Sequence, residues 1–107
     1  MAIAYRNGNG TTSSASSGIT INKPSGVVSG DVMLAVLGYW SASGPVTAPS
    51  GWTKVNNSAN SAATYSEGAL YYKVAGGSEP STYTWTFGGD DDEVAGIIVA
   101  YSGVDNT

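Results

Sequence analysis

One hundred and seven residues set the scale of a single domain, and 15 Gly, 15 Ser, 10 Thr and 7 Asn make nearly half of them small and polar, as in strands joined by turns. Hydrophobic residues at 41% against charged ones at 11% suffice to collapse a core, which excludes wholesale disorder, and a net charge of −4 leaves no basic field for nucleic acid. The chain has no Cys and no His, which excludes disulfides, thiolate or imidazole metal sites and the common nucleophile–His pairs.

Met1 to Gly8 carries neither a basic n-region nor an apolar h-region, so no secretory signal is expected, and synthesis in the cytoplasm follows. The apolar stretches Val32 to Leu37 and Val94 to Tyr101 are far shorter than the roughly 20 residues of a spanning helix, so no membrane partner is expected. Ala2 to Arg6 predicts a short first strand. Residues 7–18, NGNGTTSSASSG, are poor in apolar side chains and predict a flexible loop. Ile19 to Lys23 alternates as a strand with one buried face, and Pro24-Ser25-Gly26 stops it.

After a corner at Val27 to Asp31, the run Val32 to Trp40 is continuously apolar, which predicts a central strand covered on both faces, by the opposite sheet and by a neighbouring loop or subunit. Ser41 to Gly51 reads as a loop stiffened by Pro45 and Pro49, Trp52 to Val55 as a short strand, and Asn56 to Ser66 as an uncharged loop. Glu67 to Ala75 predicts a strand with Leu70, Tyr72 and Val74 on one side. Ser81 to Phe87 alternates almost perfectly, with Tyr83, Trp85 and Phe87 facing one way and three threonines the other. Gly88 to Asp92 is expected to turn the chain so that Val94 to Tyr101 returns as a second fully buried strand. About seven strands with long loops predict an all-β fold, an antiparallel β-sandwich of jelly-roll kind, as one domain over 1–107. That last core strand ends six residues from the C-terminus, so either the domain is cut short or a neighbouring chain covers an exposed edge.

Few residues offer chemistry. Asp90, Asp91 and Asp92, followed by Glu93, supply hard oxygen ligands for a weak cation site, without the alternate spacing of a calcium loop. Trp40, Trp52 and Trp85 with seven Tyr could stack a sugar ring, but three Trp are also the natural bulk of so small a core. Trp85 belongs to the core by its phase, while Tyr39, Trp40 and Trp52 sit at strand–loop junctions and are the candidates for protein or glycan contact. Glu67 and Glu79 are the only isolated glutamates. Both read as surface residues, and a Ser-x-x-Lys pair and a phosphate loop are absent, so no catalytic residue, no cofactor and no enzyme activity is expected.

Five blocks in order, Ile19 to Met33, Pro49-Ser50-Gly51-Trp52-Thr53, Tyr71 to Ala75, Glu79 to Trp85 and Ala100 to Asp105, resemble a β-sandwich domain of the virion structural proteins of tailed bacteriophages and their prophage relatives. Each block has a physical reading too. Gly30 eases a bend before Asp31, which can bond backbone amides; the Pro49 turn presents Trp52; Lys73 lays its stem along apolar surface. The resemblance implies a capsid decoration (cement) protein located in the virion, with the major capsid protein or other virion proteins as partners and a homo-oligomeric state. A tail or fibre subunit, or a carbohydrate-binding adhesion module with a host-surface glycan as ligand, is the alternative.

Overall fold

The computed structural model describes residues 2–40, 46–58 and 67–104, and within its strands the side chains of 13–17, 39–40, 56–58, 67 and 87–93 lie outside the description. Among the described residues every regular element is a strand: β1 (Ala4–Asn22), β2 (Val32–Trp40), β3 (Val46–Thr47), β4 (Thr53–Ser58), β5 (Glu67–Val74) and β6 (Thr82–Ser102). All pairings are antiparallel, in the order β1-β6-β2-β5-β4, with β3 on β6. β1 and β6 pair from Ala4↔Ser102 to Asn22↔Thr82, and both run through two layers. The result is an antiparallel β-sandwich of a five-stranded and a three-stranded sheet.

The layers are fastened where Ile19, Ile21, Tyr83 and Trp85 of the smaller sheet meet Met33, Ala35, Leu37, Tyr71, Ile98 and Ala100 of the larger, all buried. Gly96 marks the closest approach, since a Cβ there would lie 2.7 Å from Ile21 Cδ1 and 2.8 Å from Leu37 Cδ2. Trp85, with no exposed surface, is the centre: its ring meets Trp52 at 5.1 Å and Tyr71 at 5.9 Å between centroids, and Trp52 stands edge-on to Tyr83 at 5.1 Å. Such tilted aromatic contacts add to the area they bury. The strict alternation from Thr82 onward is borne out over its described side chains: Tyr83 and Trp85 are buried while Thr82, Thr84 and Thr86 are exposed.

Two expected connections are strand instead. Residues 7–18, expected as a loop, are the middle of β1, and residues 88–92, expected as a turn, are the middle of β6. The two segments pair with each other or with each other's continuations, Ser14↔Glu93 and Ser16↔Asp91 among them. Backbone hydrogen bonds to a partner strand hold these residues extended, and that pairing leaves no mark in side-chain periodicity.

Candidate protein-contact surface

The two outer faces of the sandwich differ in kind. On the three-stranded sheet the outward side chains are Thr20, Asn22, Thr82, Thr84 and Thr86, with Thr20 and Thr84 hydroxyls 2.8 Å apart. That is the polar surface an antiparallel sheet turns to water. On the five-stranded sheet, register places Ile97, Val36 and Leu70 in one outward row, Val99, Leu34 and Tyr72 in the next, and Tyr101, Val32 and Val74 in a third. Tyr5 extends the third row, edge-on to Tyr101 at 5.9 Å. Val36 is 47% exposed and Ile97 43%. Among the described residues these rows hold no charged side chain.

Beside the first row the surface drops. Gly38 and Gly10 bring no side chain, and Thr12, Val36, Ala95 and Ile97 border an open depression. A Cβ on Gly38 would meet nothing within 4 Å. The expectation that β2 and residues 94–101 are covered on both faces is therefore corrected: within one chain each is buried on one face only, because the second layer is a single sheet on one side.

Of the expected contact residues, Trp52 is corrected. Gly51, at φ 90°, closes the turn whose Trp52 amide donates to the Pro49 carbonyl at 3.4 Å, and the turn aims the indole inward, leaving it 8% exposed. Trp52 is thus a core residue and offers no platform for a sugar. Tyr39 and Trp40 end β2 with side chains outside the described residues, as are those of the cation candidates Asp90, Asp91 and Asp92 in β6. Among the described residues no cluster of three acidic side chains converges.

Among the described residues two ion pairs, Arg6–Asp31 and Lys73–Glu79, are tied into the fold. Asp31, 3% exposed, accepts from Arg6 Nε at 2.9 Å and Arg6 Nη2 at 3.0 Å, and from the Val28 amide at 3.0 Å. Its own backbone binds Val28 and Ala75, so one residue joins β1, the corner with Gly30 at φ 94° and the end of β5. The sequence reading of Asp31 as an amide-binding residue is met; its Arg6 partner, 25 positions away, carried no local signal. Glu79, read as a surface residue, is corrected: its side chain is 7% exposed. Its carboxylate accepts from Tyr83 Oη at 2.6 Å, the Gly76 amide at 2.8 Å and Lys73 Nζ at 2.9 Å, with that ammonium 5.7 Å from the Tyr83 ring centre. Every one of these groups is tied into the fold, which leaves no free acid–base pair in the cluster.

Titration follows from this wiring. The Arg6 hydrogen bonds hold Asp31 below its ordinary 3.8, against the upward push of burial and with help from the Val28 amide. Burial pushes Glu79 up, but the Gly76 amide, the Tyr83 hydroxyl and Lys73 together hold it below its ordinary 4.5. Tyr83 is raised above 10.0 by burial and then by Glu79, and Tyr71 by burial. Depressed carboxyl values stabilise the folded state above the unfolded values and lose that contribution as pH falls through the folded ones; raised phenol values stabilise below about 10 and lose it above. With no His and no Cys in the chain, melting temperature is expected to be flat from about pH 5.5 to 9 and to fall on both sides. Circular-dichroism melts across pH check this, and a step between pH 6 and 8 would contradict it.

Compared with known proteins, the chain matches no family model, no curated protein and no solved structure.

Proposed function

We propose that this chain is a structural virion protein of a tailed bacteriophage, a capsid decoration (cement) protein that stabilises the shell through protein–protein contacts and performs no reaction. The observation that carries the reading is the inequality of the two outer faces: among the described residues one is threonine-lined, the other an apolar sheet face that water disfavours. Contiguous apolar patches of this extent on small soluble domains mark contact surfaces. The phage assignment comes from the ordered sequence blocks. Physical features agree with it: a cysteine-free chain has no thiol to oxidise, and few charges make attachment insensitive to salt. Burial of Trp52 removes the central residue of the glycan-binding alternative.

The test is electron microscopy of particles made by the genome that carries this reading frame. The expected result is density for the chain on the head shell, retained after washing in about 1 M NaCl. Density on the tail would move the chain to a tail or fibre subunit. Absence from the particle, or release by moderate salt, would overturn the proposal.

A further inference from the structure

We infer that the outer edge of β1 pairs with the β1 edge of a second copy of this chain, antiparallel about a twofold axis, so that the larger sheets of two copies run on as one. The apolar face of that sheet plays no part in the pairing. β1 stands at the end of the strand order and pairs with β6 alone. A Cβ built on Gly8 or Gly10 would lie 3.3 Å from the carbonyl oxygen of Ile98 or Gly96, in each case the residue before the one paired with the glycine. That contact marks the narrow, non-hydrogen-bonded pairs of an antiparallel ladder, whose residues turn both N–H and C=O away from the partner strand. Gly8, Gly10 and, by alternation, Thr12 therefore offer their peptide groups outward. The Gly8 amide donates to Asn7 Oδ1 at 2.9 Å in place of a strand, and among the described residues nothing bonds the outward groups of Gly10 and Thr12.

Exposed edges are ordinarily kept short, bent or charged, which discourages pairing. The opposite edge, β4, is treated so, with 6 residues, Lys54 and a register shift between Lys54 and Asn56. β1 is not. From Asn7 to Asn22 it carries no charge and no proline, and its register shifts, between Tyr5 and Asn7 and between Ser16 and Gly18, leave the stretch between them unbroken. A strand that docks here must be uncharged over the same length, and β1 is itself such a strand. An antiparallel edge is also its own complement: with the axis at Gly10, that glycine stands opposite the partner's Gly10, Gly8 opposite the partner's Thr12 and Thr12 opposite the partner's Gly8, each giving and accepting one bond. Charge selects this direction, because two copies of a net −4 chain repel. Glu93 lies one strand in from the edge, paired with Ser14. At strand spacings of about 4.8 Å and a rise of about 3.4 Å per residue, the antiparallel pair keeps the two Glu93 backbones about 30 Å apart, well beyond the Debye length of about 10 Å. Parallel pairing in register would bring them to about 14 Å.

The experiment is amide hydrogen exchange and sedimentation velocity on the purified chain from about 20 μM to about 1 mM, since an edge contact of this size makes a weak pair, with a dissociation constant on the order of 100 μM. Wild type should pass from monomer to dimer over that range. Its Gly10 and Thr12 amides should exchange about fivefold more slowly at the top of the range than at the bottom, while Asn9 and Thr11, whose amides face β6, stay protected throughout. Thr12→Pro removes an outward N–H and no bond to β6, at the kind of edge position that tolerates proline, so its thermal unfolding should match wild type while it remains a monomer. Thr84→Lys, on the outer face of the smaller sheet, should dimerise as wild type does. Should Thr12→Pro fail to fold, exchange in the wild type decides alone. A wild type that stays monomeric to about 1 mM overturns the inference, as does a dimer undiminished in Thr12→Pro or one that leaves the Gly10 and Thr12 amides unprotected. Neither readout involves particles, so failure here leaves the proposed function standing, and absence from particles leaves the pair standing.

Discussion

Trp85→Ala is expected to lower the unfolding free energy by about 3 to 5 kcal/mol, the largest effect of any single substitution in this chain. The whole domain is held by only about 5 to 15 kcal/mol, so the variant should be partly unfolded at room temperature or melt on the order of 15 to 30 °C lower. The reason lies in position: Trp85 has no exposed surface, touches both Trp52 and Tyr71, and stands on the strand shared by the two layers. Removing the indole leaves a void bordered by aromatic rings that cannot close over it. Trp85→Phe is the informative companion. Among the described residues the Nε1 groups of Trp52 and Trp85 are buried with no hydrogen-bond partner, so the smaller ring loses volume but also sheds a polar group held without compensation. Its cost should therefore be only about 1 to 2 kcal/mol. Urea unfolding of the two variants separates the effects; equal costs would show that ring volume is not what Trp85 supplies.

Asp31→Ala is the second large expectation, about 2 to 4 kcal/mol. It removes the acceptor for two Arg6 bonds and leaves the Val28 amide without its carboxylate. Arg6 keeps a route to water, which limits the loss, since its side chain is one-third exposed. Asp31→Asn retains the shape and one acceptor oxygen, and should cost roughly half as much. Both variants should also flatten the acid limb of the stability profile, because the depressed Asp31 carboxyl is one of two groups that generate it. Unfolding free energies at pH 7 and pH 3 test this directly: the gap between wild type and Asp31→Asn should shrink at the lower pH, and a constant gap would show that the carboxylate charge does not matter.

The parts of the fold legible in the sequence are those whose reasons are local. Alternation from Ser81 onward announces its own buried face, and Pro49-Ser50-Gly51 announces a turn. Ser29-Gly30-Asp31 announces a corner closed by a carboxylate. The rest depends on partners far along the chain. Residues 7–18 have no apolar rhythm, and only their pairing with residues 86–100 makes them a strand. Trp52 could not be assigned to core or surface from its junction position, because the decision rests on Tyr83 and Trp85 thirty residues away in the fold's other layer. Glu79 looked solvated because Lys73 and Tyr83 are brought to it by the connection from β5 to β6. The contact face was half legible. Continuous apolar runs in β2 and β6 announce two apolar faces, of which the fold itself covers one.

The long β1–β6 ribbon also dictates when this protein can form. Its strands come from opposite ends of the described chain, and Ser102 Oγ donates to the Ala4 carbonyl across 98 positions. Neither layer can be completed until β6 has been synthesised, because it is the strand common to both. Until then β1 waits as an extended, nearly uncharged segment, and the closing step carries the entropy of a loop almost as long as the domain. Copies that meet in the interval before β6 closes the ribbon do so with the whole edge of β1 unpaired, which is when association between chains competes with folding.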